Sequence, residues 1–315
     1  MEPQALVEIF RTALLARRFE ERVIEIAMAG EIPATLHPGK GQEVEQCAAL
    51  ATLRADDCVL YGHRGAAYMI ARGTSLSAIL ADIAGRVGGT NNGKGGVMHV
   101  VDVPHGVLGE SGTLGGGFVI AVGVGMALQQ RKQGQVVVHF FGDGTSNRGT
   151  FHEALNFIAL KKYPVIFLCE NNGWAVSVPA SESTAVNDIA DRAAGYGIPG
   201  VVVDGNDPVA VYEVMTEAVA RARRGDGPTL IEAKVTRMMG HYLGDQQRYR
   251  PGAADVGARD PLVAFQARLV ESGALEAAGL ERMESAIRTQ IDAAVETLRA
   301  AAPLPLEAAL QDLYA

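Results

Sequence analysis

The sequence predicts an α/β protein built on a doubly wound parallel sheet with helices on both faces. Two near-continuous apolar runs, residues 136–141 and 165–169, are typical of strands that are buried on both faces. Helical patterns alternate with these runs and with two weaker ones, at 201–203 and 229–235. This alternation of strand and helix is the pattern that a parallel sheet requires.

Helical patterns fill most of the chain ahead of the first apolar run. Each is bounded by proline, glycine or a capping residue, and the segments between them are short and rich in glycine. Helices are expected over 3–30, 42–53, a short stretch ending at Gly73, a stretch capped by Thr74 or Ser75 and ending at Ile83, and 115–128, with a turn over 61–65 and a loop over 88–96.

The second half of the chain repeats a strand–helix unit. Thr150 and Glu153 form a capping-box pattern that opens a helix ending near Lys162. Asp207 caps another helix, which reaches about Arg224 between the two weaker strands. After Asp260 only helical patterns remain. We therefore expect a single domain over 1–315, with a helical N-terminal arm (1–55) and a helical C-terminal extension (about 260–315).

Length, composition and charge exclude several classes of protein. The chain has 315 residues, of which 48% are apolar and 20% charged, as in a globular protein rather than a disordered or fibrous one. It carries 28 Lys and Arg against 36 Asp and Glu, a net charge of −8. This acidic balance argues against nucleic acid or an anionic membrane as a partner.

The sequence also indicates where the protein is located and whether its cysteines are reduced. The longest apolar stretch, 118–128, is too short to span a bilayer and is interpreted as a buried helix. The first twenty residues carry acidic side chains and no cleavage-site pattern, so the cytoplasm is expected. Cys47, Cys58 and Cys169 form no CxxC pair and are expected to be reduced thiols.

An acid and an amide follow the two strongest strands. Asp143 lies directly after the first and Asn172 shortly after the second, and a right-handed crossover brings the carboxyl ends of both strands to one edge of the sheet. Each segment alone is commonly a plain turn. Together they offer hard oxygen ligands that suit magnesium, with glycines beside Asp143 that let a diphosphate approach the backbone.

These segments resemble a known motif. Gly142-Asp143-Gly144, followed after twenty-six residues by Asn171-Asn172, is similar to the thiamine diphosphate motif. The fuller pattern over 142–149, 153–156, 164–167 and 169–174 resembles the alpha chain of the two-chain 2-oxo-acid dehydrogenases, which act on pyruvate, branched-chain oxo acids or acetoin. The resemblance extends from about Leu6 to Arg250 and implies the thiamine diphosphate-binding fold.

The resemblance implies ligands for the metal and the diphosphate. Asp143 and Asn172 would ligate magnesium through their side chains, and Trp174 through its carbonyl oxygen. Gly144 and Thr145 would line the diphosphate.

The resemblance also assigns roles before and after this segment. Arg64 would grip the diphosphate, with His63 alongside it. Gly112 and Leu114 would contribute backbone beneath the thiazolium and aminopyrimidine rings. His37 matches a histidine at the mouth of the active site.

A further histidine, His241, matches one on the family's mobile active-site loop, close to diphosphate and substrate. His241 and His63 are the candidate catalytic residues, because histidine can hold a proton near neutral pH.

Partners follow from the family as well. The glutamate that activates the cofactor belongs there to a separate beta chain, so two alpha and two beta subunits are expected to form a heterotetramer. The glycine-rich apolar helix over 115–128 would suit close packing either at the alpha–beta interface or in the domain core, and the sequence leaves this choice open. A lipoyl-bearing dihydrolipoamide acyltransferase would accept the acyl group made from a small 2-oxo acid or acetoin. Two alternatives stay open: the N-terminal half of a split transketolase, and a non-catalytic subunit that binds a diphosphate or serves assembly.

Four positions depart from the family pattern and leave the substrate open. Ala66 stands where many relatives carry histidine, and Tyr68 lies just beyond it. Glu110 precedes the cofactor loop where relatives usually carry a small or amide residue. Tyr242 replaces a regulatory serine of mitochondrial relatives, which excludes serine phosphorylation at that position.

Overall fold

A five-stranded parallel sheet forms the centre of the chain in a computed structural model that describes residues 1–32, 36–96, 98–252 and 260–311. The five strands are β1 (Cys58–Leu60), β2 (Val137–Gly142), β3 (Val165–Asn171), β6 (Gly200–Asp204) and β7 (Thr229–Lys234), and a small antiparallel pair consists of β4 (Trp174–Ala175) and β5 (Val178–Pro179). The strand order across the sheet is β1-β2-β3-β7-β6, with every pair parallel. The parallel sheet expected from the apolar runs is confirmed.

Alternate residues of the central strands enter two separate apolar cores. Val138 and Phe140 of β2 belong to one core, whereas Val137 and Phe141 belong to the other. This division follows from the two-residue period of a strand, and it explains why the run is apolar without interruption. The sheet therefore has helices on both sides.

The helices divide between these two faces. Helices α5 and α6 pack on one face, and helices α1 to α4 and α8 to α10 surround the core on the other. Their bounds are α1 Pro3–Met28, α2 Glu43–Leu50, α3 Ala67–Arg72, α4 Leu76–Ile83, α5 Gly116–Arg131, α6 Gly149–Lys161, α7 Ala180–Ser183, α8 Pro208–Arg223, α9 Pro261–Glu271 and α10 Ala277–Ala300, with 3-10 segments at Val103–His105, Asp143–Asn147, Ile189–Tyr196 and Leu306–Leu310.

Most helix ends lie close to the residues that the sequence indicates. The Asp207 carboxylate accepts a hydrogen bond from the backbone N–H of Val209 at 2.9 Å, as an N-cap should. The capping-box prediction was wrong, because Arg148 is the N-cap residue and α6 begins directly after it. The Thr150 hydroxyl donates instead to the carbonyl oxygen of Gly115 at 2.8 Å. Thr150 thus ties the start of α6 to the start of α5.

Helix α5 is apolar, but it is not the buried helix that its composition suggested. Val119 and Ile120 are 55% and 44% exposed on its outer face. Its inner face combines Phe118 and Leu128 with small residues. A Cβ atom added to one of these, Gly117, would lie 2.4 Å from the His139 ring. Glycine thus lets α5 lie close against the sheet, and the opposite side of the helix keeps an apolar surface.

Other expectations concern location and the chain ends. Among the described helices, none combines the length and the apolar character needed to cross a bilayer. Cys47, Cys58 and Cys169 are free thiols, as expected. Residues 33–35 of the predicted N-terminal arm and 312–315 of the predicted extension lie outside the described residues.

Candidate active site

A cavity of about 310 Å³ opens at the carboxyl edge of the sheet. Every residue that the sequence analysis selected as a site residue lies on its wall: His37, His63, Arg64, Gly112, Leu114, Asp143, Gly144, Thr145, Asn172, Trp174 and His241. These residues come from six separate stretches of chain. The structure thus brings together all the predicted site residues.

The register of two strands explains why the acid and the amide meet. Gly142 of β2 lies opposite Glu170 of β3, so Asp143 and Asn172 leave the sheet side by side. Strand β1, which the sequence analysis did not predict, pairs with β2 and delivers His63 and Arg64 to the same edge. The signal for β1 was only a three-residue apolar run ahead of Gly62.

Asp143 is buried and lacks a complete set of partners. It is 3% exposed, and its Oδ2 atom has no hydrogen-bond partner among the described residues. Burial raises its pKa to about 6, against the lowering effect of the Arg237 and Arg64 guanidinium groups. A buried carboxylate with a free oxygen is suited to a cation.

The Asn172 side chain fixes the turn that follows β3. Its Oδ1 atom accepts a hydrogen bond from the backbone N–H of Trp174 at 3.2 Å. This Asx-type turn leads into β4, and the cavity wall includes both residues. A Cβ atom added to Gly144 would lie only 2.5 Å from the Ala175 side chain, so glycine is needed where the turn after β2 passes β4.

The Arg64 guanidinium is buried among neutral acceptors. It donates to the carbonyl oxygens of Pro38 and His241, both at 3.3 Å, and to Nδ1 of His241 at 2.8 Å. Because a guanidinium group can only donate hydrogen bonds, Nδ1 of His241 must accept this one. The proton of the His241 imidazole therefore lies on Nε2. Burial lowers the Arg64 pKa to about 10, so the group is charged at neutral pH.

Three histidines form one cluster at the cavity. The His37 ring lies 5.2 Å from that of His63 and 4.8 Å from that of His241, between centroids. Burial is the largest cause that lowers the pKa of each, to about 4 for His241, and the charge of Arg64 adds to it. With these lowered pKa values the imidazoles are neutral at pH 7, whereas the sequence analysis treated them as groups that hold a proton near neutral pH.

The segment that carries His241 is held by a chain of hydrogen bonds. The backbone N–H of His241 donates to the Asp245 carboxylate at 2.7 Å, which also accepts from the Tyr249 hydroxyl at 2.5 Å. Arg237, only 1% exposed, donates to that hydroxyl at 3.1 Å. Sequence reasoning missed Arg237, since no local pattern distinguishes a buried arginine from a surface one.

The comparisons with known proteins agree with this geometry. Residues 11–307 match the family described as the dehydrogenase E1 component. The chain is 39% identical to the alpha subunit of acetoin:2,6-dichlorophenolindophenol oxidoreductase from Cupriavidus necator, covering 100% of this chain and 95% of that protein. The chain belongs to the dehydrogenase E1 component family.

Two further relatives of this E1 chain act on other substrates by name. It is 37% identical to the alpha subunit of 2-oxoisovalerate dehydrogenase from Bacillus subtilis, over 99% of this chain and 96% of that protein. It is 35% identical to the alpha subunit of the pyruvate dehydrogenase E1 component from Zymomonas mobilis, over 99% of this chain and 88% of that protein. The resemblance stated from the motifs is therefore confirmed.

The E1 chain also places residues on the wall that the sequence analysis did not select. Glu170 is 3% exposed and accepts hydrogen bonds from the Tyr68 hydroxyl at 2.6 Å and from Gln46 at 2.7 Å. Its position at the end of β3 was the available signal. The remaining wall residues are Gln42, Gly62, Met98, Glu110, Ser111, Gly142, Ala175 and Val176.

Proposed function

We propose that this chain is the alpha subunit of a thiamine diphosphate-dependent dehydrogenase that acts on a small 2-oxo acid or on acetoin and passes the acyl group to a lipoyl group. The observation that carries the proposal is the pairing of Asp143 and Asn172 at neighbouring strand ends, in a cavity that also contains Arg64. The relatives are named as alpha subunits of acetoin, pyruvate and 2-oxoisovalerate dehydrogenases, which supports it.

The donor atoms at the strand ends fit magnesium. The free carboxylate oxygen of Asp143, the amide oxygen of Asn172 and the carbonyl oxygen of Trp174 are hard ligands, and magnesium commonly takes few protein oxygens together with phosphate and water. Gly144 and Thr145 would lie along the diphosphate. The buried orphan oxygen of Asp143 is the local reason to place the ion here.

The remaining wall residues fit the rest of the cofactor. Arg64 would bind the diphosphate, since its fixed positive charge has no carboxylate partner among the described residues. Backbone at Gly112 and Leu114 would contact the two rings. Thiamine diphosphate bound there would supply a nucleophilic carbon and a place to store electrons after carbon dioxide leaves.

This chain's own side chains would bind and orient the reactants. His241 offers an Nε2–H whose direction is fixed by the Arg64 contact, so it can donate a hydrogen bond to a phosphate or to the substrate oxygen without carrying a charge. His63 lies beside it with a buried Nε2 that has no partner among the described residues. A bound anion would raise the pKa of both rings and make them able to hold a proton.

A beta subunit is the proposed partner, in a heterotetramer of two alpha and two beta chains. Helices α5 and α6 leave an apolar face exposed that a soluble monomer would rarely keep, formed by Val119, Ile120, Met126, Phe157 and Leu160. A subunit interface would bury this face. A dihydrolipoamide acyltransferase that carries the lipoyl group is the proposed second partner.

The finer aspects of the fold and location belong to the same proposal. We infer a doubly wound thiamine diphosphate-binding fold in which α9 and α10 form a C-terminal extension. Free cysteines and the bacterial origin of the acetoin-related proteins support a cytoplasmic location.

Calorimetry tests the proposal directly. Magnesium and thiamine diphosphate are titrated into the alpha chain co-expressed with its beta subunit, and micromolar binding is expected. Asp143→Ala should abolish that binding, whereas Glu217→Gln, a change at an exposed acid on α8, should leave it unchanged. Absence of binding by the wild-type complex would refute the proposed function.

Turnover separates the alternatives. Pyruvate, 2-oxoisovalerate and acetoin are assayed with 2,6-dichlorophenolindophenol as electron acceptor. Turnover of one of them is expected; cofactor binding without any turnover would favour a non-catalytic subunit, and turnover of ketose phosphates alone a split transketolase. The family match favours the dehydrogenase.

A further inference from the structure

Glu110 is a carboxyl group on the cavity wall that the proposed function does not yet use. It lies two residues before Gly112, and it borders both the main cavity and a smaller adjoining pocket. Its Oε2 atom is buried and has no hydrogen-bond partner among the described residues. Asp143 is the other wall carboxyl with such an oxygen, but the proposed magnesium accounts for Asp143 and leaves Glu110 unexplained.

The surroundings of Glu110 favour its neutral form. Within the described part of the chain no arginine or lysine forms an ion pair with it, and His99 contacts only its backbone carbonyl oxygen, at 3.4 Å. Three titratable residues interact with Glu110 electrostatically. They are Glu170 of β3, Tyr61, which directly follows β1, and Tyr68 of α3. Burial, reinforced by the charge of Glu170, raises its pKa to about 8.

Several other wall groups keep the same protonation state between pH 7 and pH 9. The three histidines are already neutral, since each has a lowered pKa. Asp143, with a pKa of about 6, is ionised throughout this interval, and Arg64, with a pKa of about 10, stays largely charged. Glu110 gains its negative charge in the same interval, so its ionisation changes the charge that the cavity presents.

We propose that Glu110 is a specificity-determining residue: its neutral carboxyl admits an anionic 2-oxo acid, its ionised form repels that acid, and a neutral hydroxyketone is bound equally well by both forms. The inference rests on the proposed function, because it concerns the substrate of the same cavity. A carboxylate on the wall acts on the charge of a 2-oxo acid by Coulomb repulsion, whereas acetoin carries no charge to be repelled.

Coulomb's law gives the size of the effect. Two like charges about 8 Å apart change an affinity by about 2-fold at an effective dielectric constant of about 80 and by about 30-fold at about 20. The KM for pyruvate is therefore expected to rise about tenfold between pH 7 and pH 9, and the KM for acetoin to stay constant within about twofold.

Steady-state kinetics of the alpha–beta holoenzyme test this expectation. KM is measured for pyruvate and acetoin from pH 7 to pH 9 with the artificial electron acceptor, and an inhibition constant replaces KM for whichever compound is not turned over. Glu110→Gln should remove the rise for pyruvate, because the amide cannot ionise, and Glu110→Asp should retain it. Glu217→Gln is the surface control, and cofactor affinity at pH 7 shows that each variant is folded.

The outcomes separate the two claims. A pyruvate-specific rise that disappears in Glu110→Gln supports the inference. An equal rise for both compounds, a rise that persists in Glu110→Gln, or no rise in the wild type overturns it. A wild-type holoenzyme that binds thiamine diphosphate but neither turns over nor binds pyruvate, 2-oxoisovalerate or acetoin contradicts the proposed function instead.

Discussion

Replacing Asp143 by asparagine is expected to stabilise the cofactor-free protein while it abolishes cofactor binding. Burial raises the Asp143 pKa from 3.8 to about 6, and the side chain is 3% exposed, so little solvent screening weakens the effect. This rise in pKa corresponds to a loss of about 3 kcal/mol in the free energy of unfolding at neutral pH.

The sign of this effect follows from proton binding. Because the pKa is higher in the folded chain, the folded state keeps a proton between about pH 4 and pH 6 that the unfolded chain has lost. The contribution of this carboxyl to stability is therefore lost as the pH rises through that interval. The amide introduced by Asp143→Asn cannot ionise, so this substitution should stabilise the apo complex by about 3 kcal/mol at pH 7.5 and by about half as much at pH 5.

Urea unfolding of the alpha–beta complex at the two pH values measures this difference, without metal or cofactor. Asp292→Asn, at an exposed position on α10, is the control. Magnesium and thiamine diphosphate should then stabilise the wild type and leave Asp143→Asn unchanged. Equal unfolding midpoints for wild type and Asp143→Asn at pH 7.5 would refute the reasoning, since they would mean that the carboxylate is not left unpaired in the folded chain.

Three further changes test other parts of the structure. Arg64→Lys should weaken thiamine diphosphate binding by at least about tenfold in calorimetry, because lysine lacks the planar fork that holds His241 and a diphosphate together; unchanged affinity would contradict that role. Val119→Glu places a charge on the exposed apolar face of α5, so size-exclusion chromatography should show loss of the tetramer. The helical circular dichroism signal should be retained. An intact tetramer would argue against an interface on this face. Tyr68→Phe removes a hydroxyl that donates to Glu170 and accepts from Gln46 in a fully buried site. The free energy of unfolding, measured with urea, should therefore fall by about 1–3 kcal/mol. An unchanged unfolding midpoint would contradict this expectation.

The parts of the fold that carry strong local patterns were predictable. The runs that became β2 and β3 are apolar without interruption because alternate residues enter different cores. Since both strands are parallel neighbours, the positions of Asp143 and Asn172 followed from chain order alone. By contrast, β1 has only three residues and its pairing is long-range, so no local pattern could place it beside β2.

Burial and charge state were beyond the reach of the sequence. An apolar helix can face a core or a partner subunit, and α5 has one side buried in a core and an opposite side that is apolar and exposed. The neutrality of His241 depends on its burial and on the Arg64 charge beside it, and both are set by tertiary contacts. Glu110 stood out only as a departure from a family pattern, until the cavity wall showed that it has no cation partner.

The two unmatched charges of the cavity support magnesium and a diphosphate as its proposed ligands. Asp143 has a buried oxygen without a partner, and Arg64 is hydrogen-bonded only to carbonyl oxygens and a neutral imidazole. They influence each other electrostatically but form no ion pair within the described residues. A cation alone would satisfy Asp143 and add to the positive charge near Arg64, whereas a free diphosphate would satisfy Arg64 and repel Asp143. A divalent ion bound to a diphosphate satisfies both at once, so each component should bind more tightly in the presence of the other.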